Sequence, residues 1–144
     1  MQPRKGKPPN SVFVDTDAIV ALVQISDSNH GKALKLQKLV DKYKIKIYTS
    51  DFVIGETVTV ISQKSNIDLA SKIGKEMLSG GMELFCVSRS EMKLALEKFS
   101  QQVSKNSRFT DMVNMVLMDR LKIDTIFSFD KHYTQNGYKL LARI

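Results

Sequence analysis

The chain has 144 residues, 42% hydrophobic and 26% charged, with twenty-two basic residues against fifteen acidic ones and a net charge of +7. That length fits one ordinary domain, and that composition excludes disorder along the whole chain. No stretch approaches the ~20 apolar residues of a membrane span, and the lone cysteine, Cys86, excludes an internal disulfide and a cysteine-based zinc site.

Residues 1–10 carry Arg4, Lys5 and Lys7 with three prolines and no acid, and are expected to form a flexible basic arm. The arm is not a secretory signal, so a cytoplasmic protein is expected. Residues 11–144 are expected to form a single domain. Ser11–Asp15 reads as a β-strand ending in a carboxylate, and Asp17 as the cap of a helix over Ala18–Gln24. His30–Asp41 has helical spacing, with Ala33, Leu36, Leu39 and Val40 inward and Lys32, Lys35, Lys38 and Lys42 outward. Lys46–Thr49 is a second strand, and Ser50 or Asp51 caps a helix through Phe52, Glu56 and Val60. Asn66 or Asp68 starts another helix, which stops at Gly80-Gly81. Met82–Val87 is a third strand, Ser90-Glu91 opens a helix to about Val103, and Thr110 caps Asp111–Leu121. Asp124–Asp130 is a fourth strand and Tyr138–Leu141 a short last one.

Strands alternating with helices predict an α/β fold with a mainly parallel sheet covered on both faces. Ligands of such sheets bind outside the carboxyl ends of the strands. Asp15, Asp130 and the start of the helix bearing Glu56 are expected on that edge, and Asp111 joins them if its helix packs there. Four carboxylates gathered at one place repel, each close pair costing about 3–4 kcal/mol at an effective dielectric of ~20. Protons, bases or hard divalent cations relieve that repulsion; Mg²⁺ or Mn²⁺ is the natural occupant, and metal-assisted phosphodiester hydrolysis is the chemistry that follows. Each acid also has a structural reading. Asp130 can cap the turn Lys131-His132-Tyr133, Asp111 suits the start of a helix, and Glu56 can be a solvated helix residue.

Val12-Phe13-Val14-Asp15-Thr16, Asp27-Ser28-Asn29-His30, Ser50 through Glu56-Thr57, Arg108-Phe109-Thr110-Asp111, Met118-Asp119-Arg120-Leu121 and Ile126–Tyr133 with Gly137 together resemble the PIN domain, and in particular the VapC-type toxin ribonucleases. The resemblance spans residues 12–141 in order. It implies a three-layer α/β/α PIN-like fold and a catalytic, metal-binding quartet of Asp15, Glu56, Asp111 and Asp130. It implies supporting places for Thr16, Ser128, Asn114 and Asp17. Ser128 would supply a hydroxyl behind the pocket, and Asn114 lies three residues after Asp111. Asp17 stands where a neutral polar residue is commoner; it either adds a fifth carboxylate or caps its helix, and the cap is favoured.

The function so implied is a Mg²⁺- or Mn²⁺-dependent endoribonuclease, the toxin of a toxin–antitoxin pair. Its partners would be an RNA substrate, a small antitoxin whose cationic C-terminal segment enters the pocket, and a second copy in a homodimer. The groove for the antitoxin is expected on the helices beginning at Ser50 and Asn66. The excess positive charge fits an RNA-binding surface, with Arg4, Lys5, Lys7, Lys32, Lys35, Lys38 and Lys42 as backbone contacts. His30 and His132 read as a helix-start residue and a surface residue. Cys86 reads as a buried thiol, and Met112, Met115 and Met118 as helix packing, with a dimer contact as the alternative. A non-catalytic PIN-like module binding RNA or protein is the rival reading, and the complete acidic quartet speaks against it. Asp15-Thr16-Asp17 also resembles the paired aspartates of haloacid-dehalogenase-like phosphatases, but that family's downstream lysine motif and cap have little room here.

Overall fold

The structure, a computed structural model, describes residues 6–144. Ser11–Val14 (β1) buries the apolar run Val12, Phe13 and Val14, the pattern of a strand covered on both faces. Asp15 directly follows and caps Thr16–Val23 (α1), its carboxylate accepting from Thr16 N. His30–Lys42 (α2) buries Ala33 and Val40 and keeps its four lysines in solvent. Lys46–Ser50 (β2) leads into Asp51–Lys64 (α3), where the Ser50 hydroxyl accepts from Val53 N. Asn66 caps Ile67–Leu78 (α4) through Leu69 N, and Gly80 follows at φ +114°, a backbone conformation that favours glycine. Gly74 allows α4 to lie close on α3, since a Cβ there would stand 2.9 Å from Val58 Cγ2.

Glu83–Phe85 (β3) precedes Arg89–Ser100 (α5), which opens on a reciprocal capping box between Ser88 and Glu91. Phe109–Leu121 (α6) is buried continuously from Asp111 to Met118, so its polar members Asp111 and Asn114 are carried into the interior. Thr125–Phe127 (β4), His132–Gln135 (α7), Lys139–Leu140 (β5) and a 3₁₀ turn at Leu141–Arg143 complete the chain.

All pairings are parallel, in the order β3-β2-β1-β4-β5. The chain crosses the sheet one way from β1 to β3 and the other way from β3 through β4 to β5. Right-handed crossovers therefore put α1–α4 on one face and α5–α7 on the other. The direction reverses between β1 and β4, where Asp15 N donates to Phe127 O at 3.1 Å. A crevice at the carboxyl ends of these two strands is the expected binding position of such a sheet. Among the described residues, no helix is long and apolar enough to cross a membrane.

Several local expectations need correction. α6 starts earlier than Thr110, at Phe109, whose ring packs edge-on against Phe52 and Phe99; Arg108 takes the cap position without a side-chain bond. Cys86 is exposed, because it follows the edge strand β3. Met112, Met115 and Met118 are fully buried in the monomer, which leaves them no part in a dimer contact. Of the expected arm, Arg4 and Lys5 lie outside the described residues; Lys7 is exposed, and Asn10 O accepts from Lys46 N.

Candidate active site

Asp15 lies at the head of β1, 5% exposed, and is held from three directions. Its Oδ1 accepts from Thr16 N at 2.8 Å and from Asn114 Nδ2 at 3.2 Å, and its Oδ2 accepts from the Tyr133 hydroxyl at 2.8 Å. Asn114 also donates to the Tyr133 oxygen at 3.1 Å and accepts from Ser50 Oγ at 3.3 Å, tying the starts of α3, α6 and α7 to one carboxylate. Thr16 supports the same corner: its hydroxyl reaches Val53 O and receives that of Thr57.

Asp111, 2% exposed, approaches from the first turn of α6. Its Oδ1 is 3.2 Å from the Tyr133 hydroxyl, which has one proton and a shorter bond to Asp15; its buried Oδ2 has no hydrogen-bond partner. Burial first, then the charge of Asp130, pushes Asp111 up to about 6. Asp15 is held well above the usual carboxylate range by burial, then by the charges of Asp17 and Asp111. Burial and the same two acids, Asp15 and Asp111, raise the Tyr133 phenol well above its ordinary value, so it remains a neutral donor.

Asp130 does not end its strand. β4 stops at Phe127, and the Ser128 hydroxyl receives Asp130 N at 3.1 Å while donating to Asp17 Oδ2 at 3.1 Å. Asp17 Oδ2 also takes Phe129 N at 2.8 Å, so Asp17 clamps the loop after β4 instead of capping α1. Burial raises its pKa, opposed by these bonds. Asp130 Oδ1 accepts His132 N at 2.9 Å, the turn-capping contact, and lies 2.8 Å from His132 Nδ1. His132 is thus half-buried beside the acids, not a free surface residue, because α7 begins immediately after this turn. One ligand atom each from Asp111, Asp130 and His132 lie within 4.8 Å of one another.

Glu56 stands apart from that trio, paired with exposed Arg108 through Oε1 and Nη1 at 3.4 Å. The structure thus brings Asp15, Asp111 and Asp130 together at one sheet edge, with Glu56 engaged by an arginine instead. Buried carboxylates with raised pKa values and an orphaned oxygen form a site deficient in positive charge, and their oxygen donors suit a hard divalent ion.

The PIN domain profile matches residues 12–137 of the chain. The chain belongs to the PIN domain family. It is 20% identical over 122 residues to Ribonuclease VapC26 of Mycobacterium tuberculosis, an alignment covering 85% of this chain and 88% of that protein. Its fold superposes on VapC20 of Mycobacterium tuberculosis, a sarcin–ricin loop cleaving toxin, with a TM-score of 0.80 and 24% identity over 88% of this chain and 95% of that one. VapBC2 from Rickettsia felis, solved with a fragment of promoter DNA, gives a TM-score of 0.61 at 12% identity, covering 90% and 96%.

Within this PIN domain, sequence reasoning missed Tyr133, His132 and Arg108 as contributors to the site. Tyr133 follows an apolar strand at a spacing that reads as core filling, and nothing local marks its hydroxyl as polar cargo. His132 had a visible signal in its place two residues after Asp130. The α2 lysines of the PIN domain are exposed, but Lys42 ends α2 just before β2, at the sheet edge opposite Asp15.

Proposed function

We propose that this PIN domain is a toxin-type endoribonuclease that hydrolyses RNA phosphodiester bonds with Mg²⁺ or Mn²⁺ held by Asp15, Asp111 and Asp130, with Glu56 at the margin of the site. The observation that carries it is Asp111, a deeply buried carboxylate with one oxygen unpartnered and two further acids close by. When bound, the ion supplies a water of lowered pKa and positive charge for the leaving oxygen. The protein's own residues do the positioning. Tyr133 and Asn114 fix Asp15, and Asp17 fixes the loop carrying Asp130 through Ser128 and Phe129 N. Arg108, exposed and paired only through one nitrogen, can exchange Glu56 for a backbone phosphate.

With the quartet set aside, eleven acids face twenty-two bases, so the rest of the molecule attracts a polyanion while scission stays local. Lys7, Lys32, Lys35 and Lys38 are exposed parts of that basic body; Lys42, at the opposite sheet edge, adds to it only at long range, and Arg4 and Lys5 lie outside the described residues. Unpaired or looped RNA fits best, since its bases can be splayed away from the cut. The same reading includes a cytoplasmic location, a homodimer, and a small antitoxin that lays a coupled-folding segment over α3 and α4, where Ile67 and Leu78 are exposed. Co-expression with a neighbouring antitoxin frame should recover a complex of the two chains.

The test is incubation of the purified chain with RNA, beginning with a sarcin–ricin loop fragment and total RNA. Defined new ends should form with Mn²⁺ or Mg²⁺ and not with EDTA. Cleavage that survives EDTA contradicts the metal mechanism, and failure on every RNA favours a non-catalytic binding module.

A further inference from the structure

His132 Nδ1 lies 2.8 Å from Asp130 Oδ1, an ion-pair contact, yet this buried nitrogen makes no regular hydrogen bond. Asp111 Oδ2, on a side chain 2% exposed, is likewise buried and unpartnered. One ligand atom from each of two carboxylates, Asp111 and Asp130, and one from His132 converge within 4.8 Å. The ring is held there by backbone geometry. His132 N is bonded to Asp130 Oδ1, which folds the turn back on itself, and α7 starts at His132. Only about 15% of the imidazole is exposed, so water cannot easily replace the missing partner. Octahedral ions with bonds of about 2.1 Å place neighbouring ligand atoms about 3 Å apart, and the His132 Nδ1–Asp130 Oδ1 pair stands 2.8 Å apart.

We propose that His132 is a nitrogen ligand of the metal site, binding through Nδ1 beside Asp111 and Asp130, and that it makes the site prefer Mn²⁺ to Mg²⁺. An imidazole nitrogen suits first-row transition ions, whereas Mg²⁺ keeps to oxygen donors and waters. The donor set is then two carboxylates and one nitrogen, with Asp15 reached through Tyr133 and Glu56 still free to pair with Arg108. This inference rests on the acidic pocket being the ion site of the proposed nuclease, but it does not depend on RNA being cut.

The experiment uses the purified full chain without RNA. Pulsed electron paramagnetic resonance of bound Mn²⁺ should show coupling to a ¹⁴N nucleus in the wild type, and the coupling should vanish in His132→Gln. Mn²⁺ affinity, measured by calorimetry, should exceed Mg²⁺ affinity by at least about tenfold, and His132→Gln and His132→Asn should lose most of that preference. Unfolding curves without metal check that the variants fold. A wild type with no nitrogen coupling, a coupling that persists in both variants, or equal losses for the two ions would overturn the assignment. Coupling with an inactive nuclease leaves His132 in place and sinks the ribonuclease reading. Metal-dependent cleavage without coupling does the reverse.

Discussion

Tyr133 has one hydroxyl proton and two carboxylates within reach of it, Asp15 at 2.8 Å and Asp111 at 3.2 Å. Tyr133→Phe keeps the ring in the core and removes only that proton. Asp15 Oδ2 loses its donor and the Asn114 amide loses an acceptor, so stability should fall by about 1–3 kcal/mol. The turnover number should fall about tenfold or more, because Asp15 is no longer fixed. Denaturant midpoints and single-turnover cleavage check the two effects separately; unchanged turnover would remove Tyr133 from the positioning role. The acids themselves were legible in the sequence, since carboxylates inside or just after apolar strands have few structural uses. Tyr133 was not legible, because its meaning lies in a contact made 118 residues away along the chain.

Two capped helix starts were readable at the level of elements, whereas α5 starts at Arg89 behind Ser88 and not at Ser90-Glu91. Ser50 and Asn66 close α3 and α4 as their sequences predict, and Gly80-Gly81 stops α4. The start of α6 was not, because Phe109 is recruited by tertiary packing against Phe52 and Phe99 and no capping side chain announces it. Asp17 was read as a cap because its spacing allows one; the fold instead places the loop after β4 against α1, and its carboxylate serves Ser128 and Phe129 N. Asp17→Ala should therefore cut catalysis more than stability, since the lost bonds are offset by relief of a buried charge. A cleavage rate within twofold of wild type would contradict the clamp. Ser88→Ala offers the contrast: the capping box of α5 lies outside the site, so stability should drop by about 1 kcal/mol with cleavage unchanged.

The whole molecule joins a basic body to an acidic edge, and its stability should show it. Asp15, Asp17 and Asp111 hold protons more tightly in the folded chain than in the unfolded one, so the ion-free protein binds more protons when native. Its stability should fall as pH rises from about 4 through 6, Asp111 alone contributing about 3 kcal/mol to the change. Mn²⁺ should recover that loss at pH 7 and bind more weakly below about 6, where Asp111 is protonated. Thermal melts across pH with and without the ion check both slopes. The parallel sheet was legible from alternating strands and helices, and with it the edge on which the acids meet; the strand order was not. The pairing of Glu56 with Arg108 was not, because it depends on how α3 and α6 sit side by side. The central claim is that buried Asp111 serves an ion that cuts RNA, and the direct measurement is single-turnover RNA cleavage by Asp111→Asn beside wild type at pH 7 with saturating Mn²⁺. Asp111→Asn should lose at least about 10²-fold, with an unfolding midpoint in the absence of metal equal to or above wild type. Cleavage within a few-fold of wild type by a folded Asp111→Asn protein would contradict it.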